Sequence, residues 1–146
     1  MKPPEEARTR IVNEWRRKAD ADMAVAERLL PDEDPFYNAV TFHCQQAAEK
    51  YLKALLTCWG IEFPKTHVLA NLIGLLETRD TALAASLLDA VVLTPYGAEL
   101  RYPGDRPDAC AEEAREAVRL ARKVRDAVLP LLPETSAEGP GRGDRS

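Results

Sequence analysis

The 146-residue chain predicts an all-α fold, an antiparallel bundle of four to five helices. Aromatics make up only 6% of it, and Ala, Leu, Glu and Arg, all strong helix formers, dominate. Apolar residues recur at spacings of three and four over long segments, and prolines and glycines gather between those segments. With 45% hydrophobic residues the chain has enough apolar surface for one domain with its own core, and too little length for two.

The first helix is predicted from about Glu5 to Leu30, with Ile11, Trp15, Ala19, Met23, Ala26 and Leu30 as its buried stripe. Pro31-Asp32-Glu33-Asp34-Pro35 stops it. Asp34 then reads as an N-cap with Pro35 at the first position of a long second helix, which runs to about Trp59 and stops at Gly60. Ile61 to Lys65 form a short connector. Thr66 is placed to cap a third helix that carries Leu69, Leu72, Ile73, Leu75 and Leu76, with His67 in its first turn. A fourth helix, about Thr81 to Leu93, is expected to bury Leu83, Leu87, Leu88, Val91 and Val92. Residues 94–107 hold three prolines and two glycines and read as a structured loop or broken helix. Asp108 is the expected cap of the last helix, whose early glutamates and late arginines and lysine suit the helix dipole. Ala114, Ala117, Ala121, Val124 and Val128 form its inner stripe. From Pro133 the composition cannot build a core, so the expected organisation is a helical domain over 1–132 and a disordered tail over 133–146.

The second helix is the unusual element. Phe36, Val40, Cys44, Ala47, Tyr51, Ala54, Leu55 and Cys58 fill a broad face, which Phe42, Leu52, Leu56 and Trp59 extend. His43, Gln46, Lys50, Lys53 and Thr57 remain as a narrow polar strip. Gln45 and Glu49 fall inside the apolar sector, where an unpaired polar group costs about 1–3 kcal/mol. Both therefore require partners.

Several function classes are disfavoured. A net charge of −4 does not suit a generally basic protein that coats nucleic acid. His43 and His67 are the only histidines, on separate segments, so a metal site is not expected, and neither is a cofactor. Cys44, Cys58 and Cys110 show no CxxC spacing and read as reduced thiols. No apolar run approaches the ~20 residues a membrane span needs, and the N-terminus lacks an apolar leader segment. A cytoplasmic protein with no membrane association is expected. His43 and Cys44 point about 100° apart on the helix and cannot act as a nucleophile–base pair. No glycine-rich phosphate loop is present.

Arg101, Tyr102 and Arg106 carry more chemistry. Two guanidinium groups and an aromatic ring lie within six residues of a proline-braced loop, and the planar guanidinium fork binds phosphate through two hydrogen bonds. The structural alternative pairs Arg101 with Glu49 or a helix end. Lys65, Thr66 and His67 mark an expected helix N-terminus, which attracts anions, or simply a capped turn. Lys50 and Lys53 are solvated charges unless the loop folds over them.

Taken together, these residues resemble the HEPN domain family. The resemblance rests on the first helix ending Ala-Glu-Arg-Leu-Leu, on Phe42 to Leu56 with its Gln-Gln-Ala-Ala-Glu-Lys-x-x-Lys-Ala core, on Pro64-Lys65-Thr66-His67-Val68-Leu69 with Leu72, and on Leu100-Arg101-Tyr102-Pro103. It spans about residues 10 to 130. It implies a bundle of four or five helices, a homodimer, and pairing with a minimal nucleotidyltransferase as a toxin–antitoxin couple. It also implies one of two activities: a metal-independent ribonuclease built on Arg-x4-6-His, or a nucleotide-binding module. Here both histidines precede Arg101, so that ribonuclease motif is absent. Tyr102, with an ordinary pKa near 10, is a poor replacement base at neutral pH.

The expected function is thus a non-catalytic module that binds a nucleotide or RNA phosphate through Arg101, Tyr102 and Arg106. Lys65, His67, Lys50 and Lys53 would add charge, and Gln45 and Glu49 would orient the arginine. The alternatives are a ribonuclease toxin using His67 or His43 as base, and a plain dimeric interaction domain in which Gln45 and Glu49 are satisfied across the interface.

Overall fold

The computed structural model describes residues 4–31, 36–97 and 108–134. Among these residues are five α-helices: α1 (Glu5–Leu29), α2 (Tyr37–Cys58), α3 (Leu69–Glu77), α4 (Thr81–Ser86) and α5 (Ala111–Val128). A run of 3-10 turns over Leu88–Gly97 joins α4 to the segment before α5, and a short 3-10 turn over Leu129–Leu131 ends the bundle. Among the described residues there is no strand. Nor is any helix among them long and apolar enough to cross a membrane.

Helix α2 is the axis around which the rest packs, touching α1, α3, α5 and the 3-10 segment. Side-chain pairs give the directions. Asp22 meets His43 and Lys50, Asp20 meets Tyr51, and Trp15 lies beside Lys53, so α1 descends as α2 ascends. Glu27 meets Arg122 and Arg16 meets Pro133, so α1 is antiparallel to α5 as well. Asn38 at the start of α2 bonds Asp108 and Ala109, whereas Cys58 at its end lies beside Leu131. Helices α2 and α5 therefore run the same way, because α3, α4 and the 3-10 segment return the chain between them.

In α1 the stripe is set by Val12, Ala19 and Ala26, all buried. Seven-residue spacing returns each to nearly the same face, whereas Ile11 sits about 80° off the Ala19 direction and is exposed. Helix α2 starts at Tyr37 with Phe36 as its N-cap. The expected cap Asp34 and Pro35 lie outside the described residues. The C-terminal stop is as expected from Gly60: its φ is 71°, Ile61 N donates to Leu56 O at 2.9 Å, and Gly60 N donates to Thr57 O at 3.0 Å. This doubly bonded left-handed turn is the arrangement glycine favours after a helix.

Three element boundaries differ from the sequence expectation. Helix α3 begins at Leu69, so His67 precedes it; Thr66 Oγ1 accepts from Val68 N at 3.1 Å and from Asn71 Nδ2 at 3.3 Å, bracing the turn rather than opening the helix. The expected fourth helix tightens after Ser86. At about three residues per turn, Leu87, Ala90 and Leu93 align and are fully buried, while Leu88 and Val92 turn outward. At α5 the N-cap is Cys110, whose N–H donates to Glu113 Oε1 at 3.0 Å. Asp108 instead accepts from Asn38 Nδ2 at 3.0 Å, tying the approach to α5 onto the first turn of α2.

Candidate functional site

Two carboxylates buried against α2 organise its polar chemistry. Glu49, Gln45 and Lys53 stand at successive spacings of four, hence on one face. Gln45 is fully buried and Glu49 is 4% exposed, which matches their placement in the apolar sector. Both are satisfied inside the chain. Gln45 Nε2 donates to Glu49 Oε1 at 2.9 Å and to His67 O at 3.3 Å, and its Oε1 accepts from Gln46 Nε2 at 2.7 Å. Lys53 Nζ donates to Glu49 Oε2 at 2.8 Å. His67 Nδ1 lies 3.1 Å from each Glu49 oxygen. Within the chain, the turn before α3 and neighbouring residues of α2 supply these partners.

Burial pushes the Glu49 carboxyl up, but hydrogen bonds from Lys53, Gln45 and His67 outweigh it and hold the group below the usual carboxylate range. Glu49 is thus a fixed anion. It aligns an imidazole whose side chain is 79% exposed, and whose Nε2 has no partner among the described residues. An imidazole held at one nitrogen by a carboxylate presents the other for proton transfer or for binding an anion.

The second carboxylate is Asp22 of α1. His43 Nδ1 lies 2.8 Å from Asp22 Oδ1, and Lys50 Nζ donates to Asp22 Oδ2 at 2.7 Å. Asp22 escaped the sequence reading, although one signal for it existed. It lies three residues past Ala19 and four before Ala26, a carboxylate on the apolar stripe of α1, just as Glu49 is on that of α2.

The candidate binding residues therefore divide. His67 is open to solvent beside Glu49, and Lys65, two residues earlier, is exposed. Lys50 is committed to Asp22. Lys53 is buried with Glu49, its ammonium 5.4 Å from the Trp15 ring centroid and 5.8 Å from that of Phe63. Arg101, Tyr102 and Arg106 lie outside the described residues. The chain leaves the described structure at Gly97, which packs on the buried amide: a Cβ there would stand 2.8 Å from Gln45 Oε1. It re-enters at Asp108, on Asn38. Gly97 was not singled out from sequence, because its constraint comes from a side chain 52 positions away. No group of three or more His, Cys, Asp or Glu suited to a metal ion occurs among the described residues.

A family model described as HEPN domain matches residues 12–131. No curated protein and no solved structure matches the chain.

Proposed function

The chain belongs to the HEPN domain family, and from that premise we propose that it is a non-catalytic module binding a nucleotide or RNA phosphate, acting with a minimal nucleotidyltransferase in a toxin–antitoxin-like pair. The observation that carries this reading is the Glu49–His67 pair. A buried carboxylate, itself fully hydrogen-bonded, aims an exposed imidazole outward close to Lys65. The segment with Arg101, Tyr102 and Arg106 departs from Gly97, against Gln45 of the same network. Arg101 follows Gly97 by four positions, at most ~14 Å of chain. Two arginines, a lysine and an oriented imidazole make a suitable phosphate-recognising set. The absence of Arg-x4-6-His supports binding over cleavage.

The test is calorimetric titration of the full chain with ATP and with a short single-stranded RNA. Arg101→Ala is expected to weaken binding about tenfold or more, the equivalent of one charge-assisted hydrogen-bond pair, with an unchanged helical circular dichroism spectrum. Equal affinity in the two proteins overturns the site. A minimal nucleotidyltransferase encoded by the adjacent gene, and co-purifying with this chain, supports the partner assignment.

The same pair favours one second reading, a ribonuclease with an altered site. Glu49 orients His67 as a carboxylate orients a catalytic base. It predicts cleavage of RNA in the presence of EDTA, lost in His67→Ala. No cleavage by the unaltered protein across several RNAs removes it.

A further inference from the structure

The two rings that enclose Lys53 have a second side. Lys53 Nζ lies 5.4 Å from the Trp15 ring centroid and 5.8 Å from that of Phe63. Its side chain is 8% exposed, so the ammonium sits beneath both rings, inside the bundle. Trp15 and Phe63 themselves stay part-exposed, packed on the core without being covered by it. That exposure falls on their outer faces and edges, away from the ammonium. The centroids are 6.5 Å apart and the planes are tilted by 59°, which makes an open corner of two rings. The corner is braced from below, because Glu49 Oε2 holds Lys53 Nζ at 2.8 Å.

The corner adjoins the phosphate-recognising set. Phe63, Lys65 and His67 alternate along the turn that leads into α3, and the last two are exposed. His67 is anchored on Glu49 and the rings on Lys53, one turn later on α2, a separation of ~6 Å along the helix. Stacked nucleotides advance ~3.4 Å per step along a strand, so a base on the rings lies within about two steps of a phosphate on His67. Lys53 thus serves the rings rather than the phosphate. Cations for the backbone and aromatic faces for the bases are the combination that holds single-stranded nucleic acid. We propose that Trp15 and Phe63 form a nucleobase subsite, on which an unpaired base stacks while its phosphate meets His67 and Lys65. Such a subsite rests on the phosphate-binding reading of His67 and specifies its ligand: a free nucleotide or single-stranded RNA, not a polyphosphate alone.

Calorimetric titration of the full chain with ATP, tripolyphosphate, a short single-stranded RNA and the same RNA as a duplex tests it. ATP should bind about tenfold or more tightly than tripolyphosphate, the factor that one stacked base supplies. Phe63→Ala should weaken ATP about tenfold and leave tripolyphosphate unchanged, with the circular dichroism spectrum retained. Phe63→Tyr should keep the parent affinity. The single strand should bind more tightly than the duplex, whose bases already stack on one another. Single-stranded RNA bound more tightly than ATP names RNA as the source of the base, and the reverse order names a free nucleotide. ATP no tighter than tripolyphosphate in the unaltered protein, where no variant has to fold, overturns the subsite. So does a Phe63→Ala variant that weakens both ligands or neither, or a duplex bound as tightly as the single strand. In those cases tripolyphosphate still binds and the phosphate site stands; failure of every ligand to bind overturns that site as well.

Discussion

Glu49 is the residue on which most of the polar interior depends. It neutralises Lys53, whose side chain is 8% exposed and has no other acidic partner among the described residues. Replacing Glu49 with Leu keeps the volume but strands that ammonium between Trp15 and Phe63. Breaking one side of a buried ion pair costs about 3–5 kcal/mol, so Glu49→Leu should lower the urea midpoint of unfolding by a corresponding amount. Recovery of most of that loss in the Glu49→Leu, Lys53→Met double variant identifies the stranded charge as the cause. A single variant as stable as the parent contradicts it. Cys44 shows the converse case, a group that is buried and chemically silent. Burial pushes its thiol up to about 12, so it stays protonated, as a core residue should.

At the scale of elements, two glycines hold boundaries for different reasons. Gly60 ends α2 in a left-handed conformation that an L side chain reaches only with strain. Gly97 ends the 3-10 segment against Gln45, and its constraint is space rather than conformation. The Gln45 amide cannot swing away, because Glu49, Gln46 and the His67 carbonyl all hold it. Gly97→Ala should therefore destabilise by roughly 1–3 kcal/mol, the usual cost of overpacking a filled site, measured by chemical denaturation. An unchanged midpoint means that the segment yields without cost. The tight winding before Gly97 also decides which side chains reach the core: at three residues per turn Leu87, Ala90 and Leu93 share one face and are buried, while Leu88 and Val92 do not.

For the whole molecule the buried carboxylate predicts an acid limit. The Glu49 carboxyl is held below the usual range in the folded chain, so the unfolded chain takes up its proton first as pH falls. The stabilisation is complete above the ordinary glutamate value, ~4.3. It is lost as pH drops through the lower folded value. Glu116 shifts in the same direction through Arg119, but that pair is exposed and screened by solvent. Thermal melts from neutral pH down to the carboxylate range should fall for the parent protein and flatten measurably in Glu49→Gln. Parallel curves for the two proteins refute Glu49 as the source.

Helical class, the central place of α2, the glycine stop at residue 60 and the buried positions of Gln45 and Glu49 were all legible from the order of residues. Each depends on periodicity or turn chemistry within a few positions, and a helix carries its own geometry. The identities of the partners were not legible. Among the described residues Glu49 meets His67, 18 positions on, because the turn before α3 is drawn between Thr94 and Gln45; Arg101, one partner expected for it, lies outside them. The shared direction of α2 and α5, the outward turn of Leu88 and Val92, and the close approach of Gly97 were equally hidden. Contacts between distant segments follow from how helices of given lengths and faces fill a common core, and no local pattern records that packing.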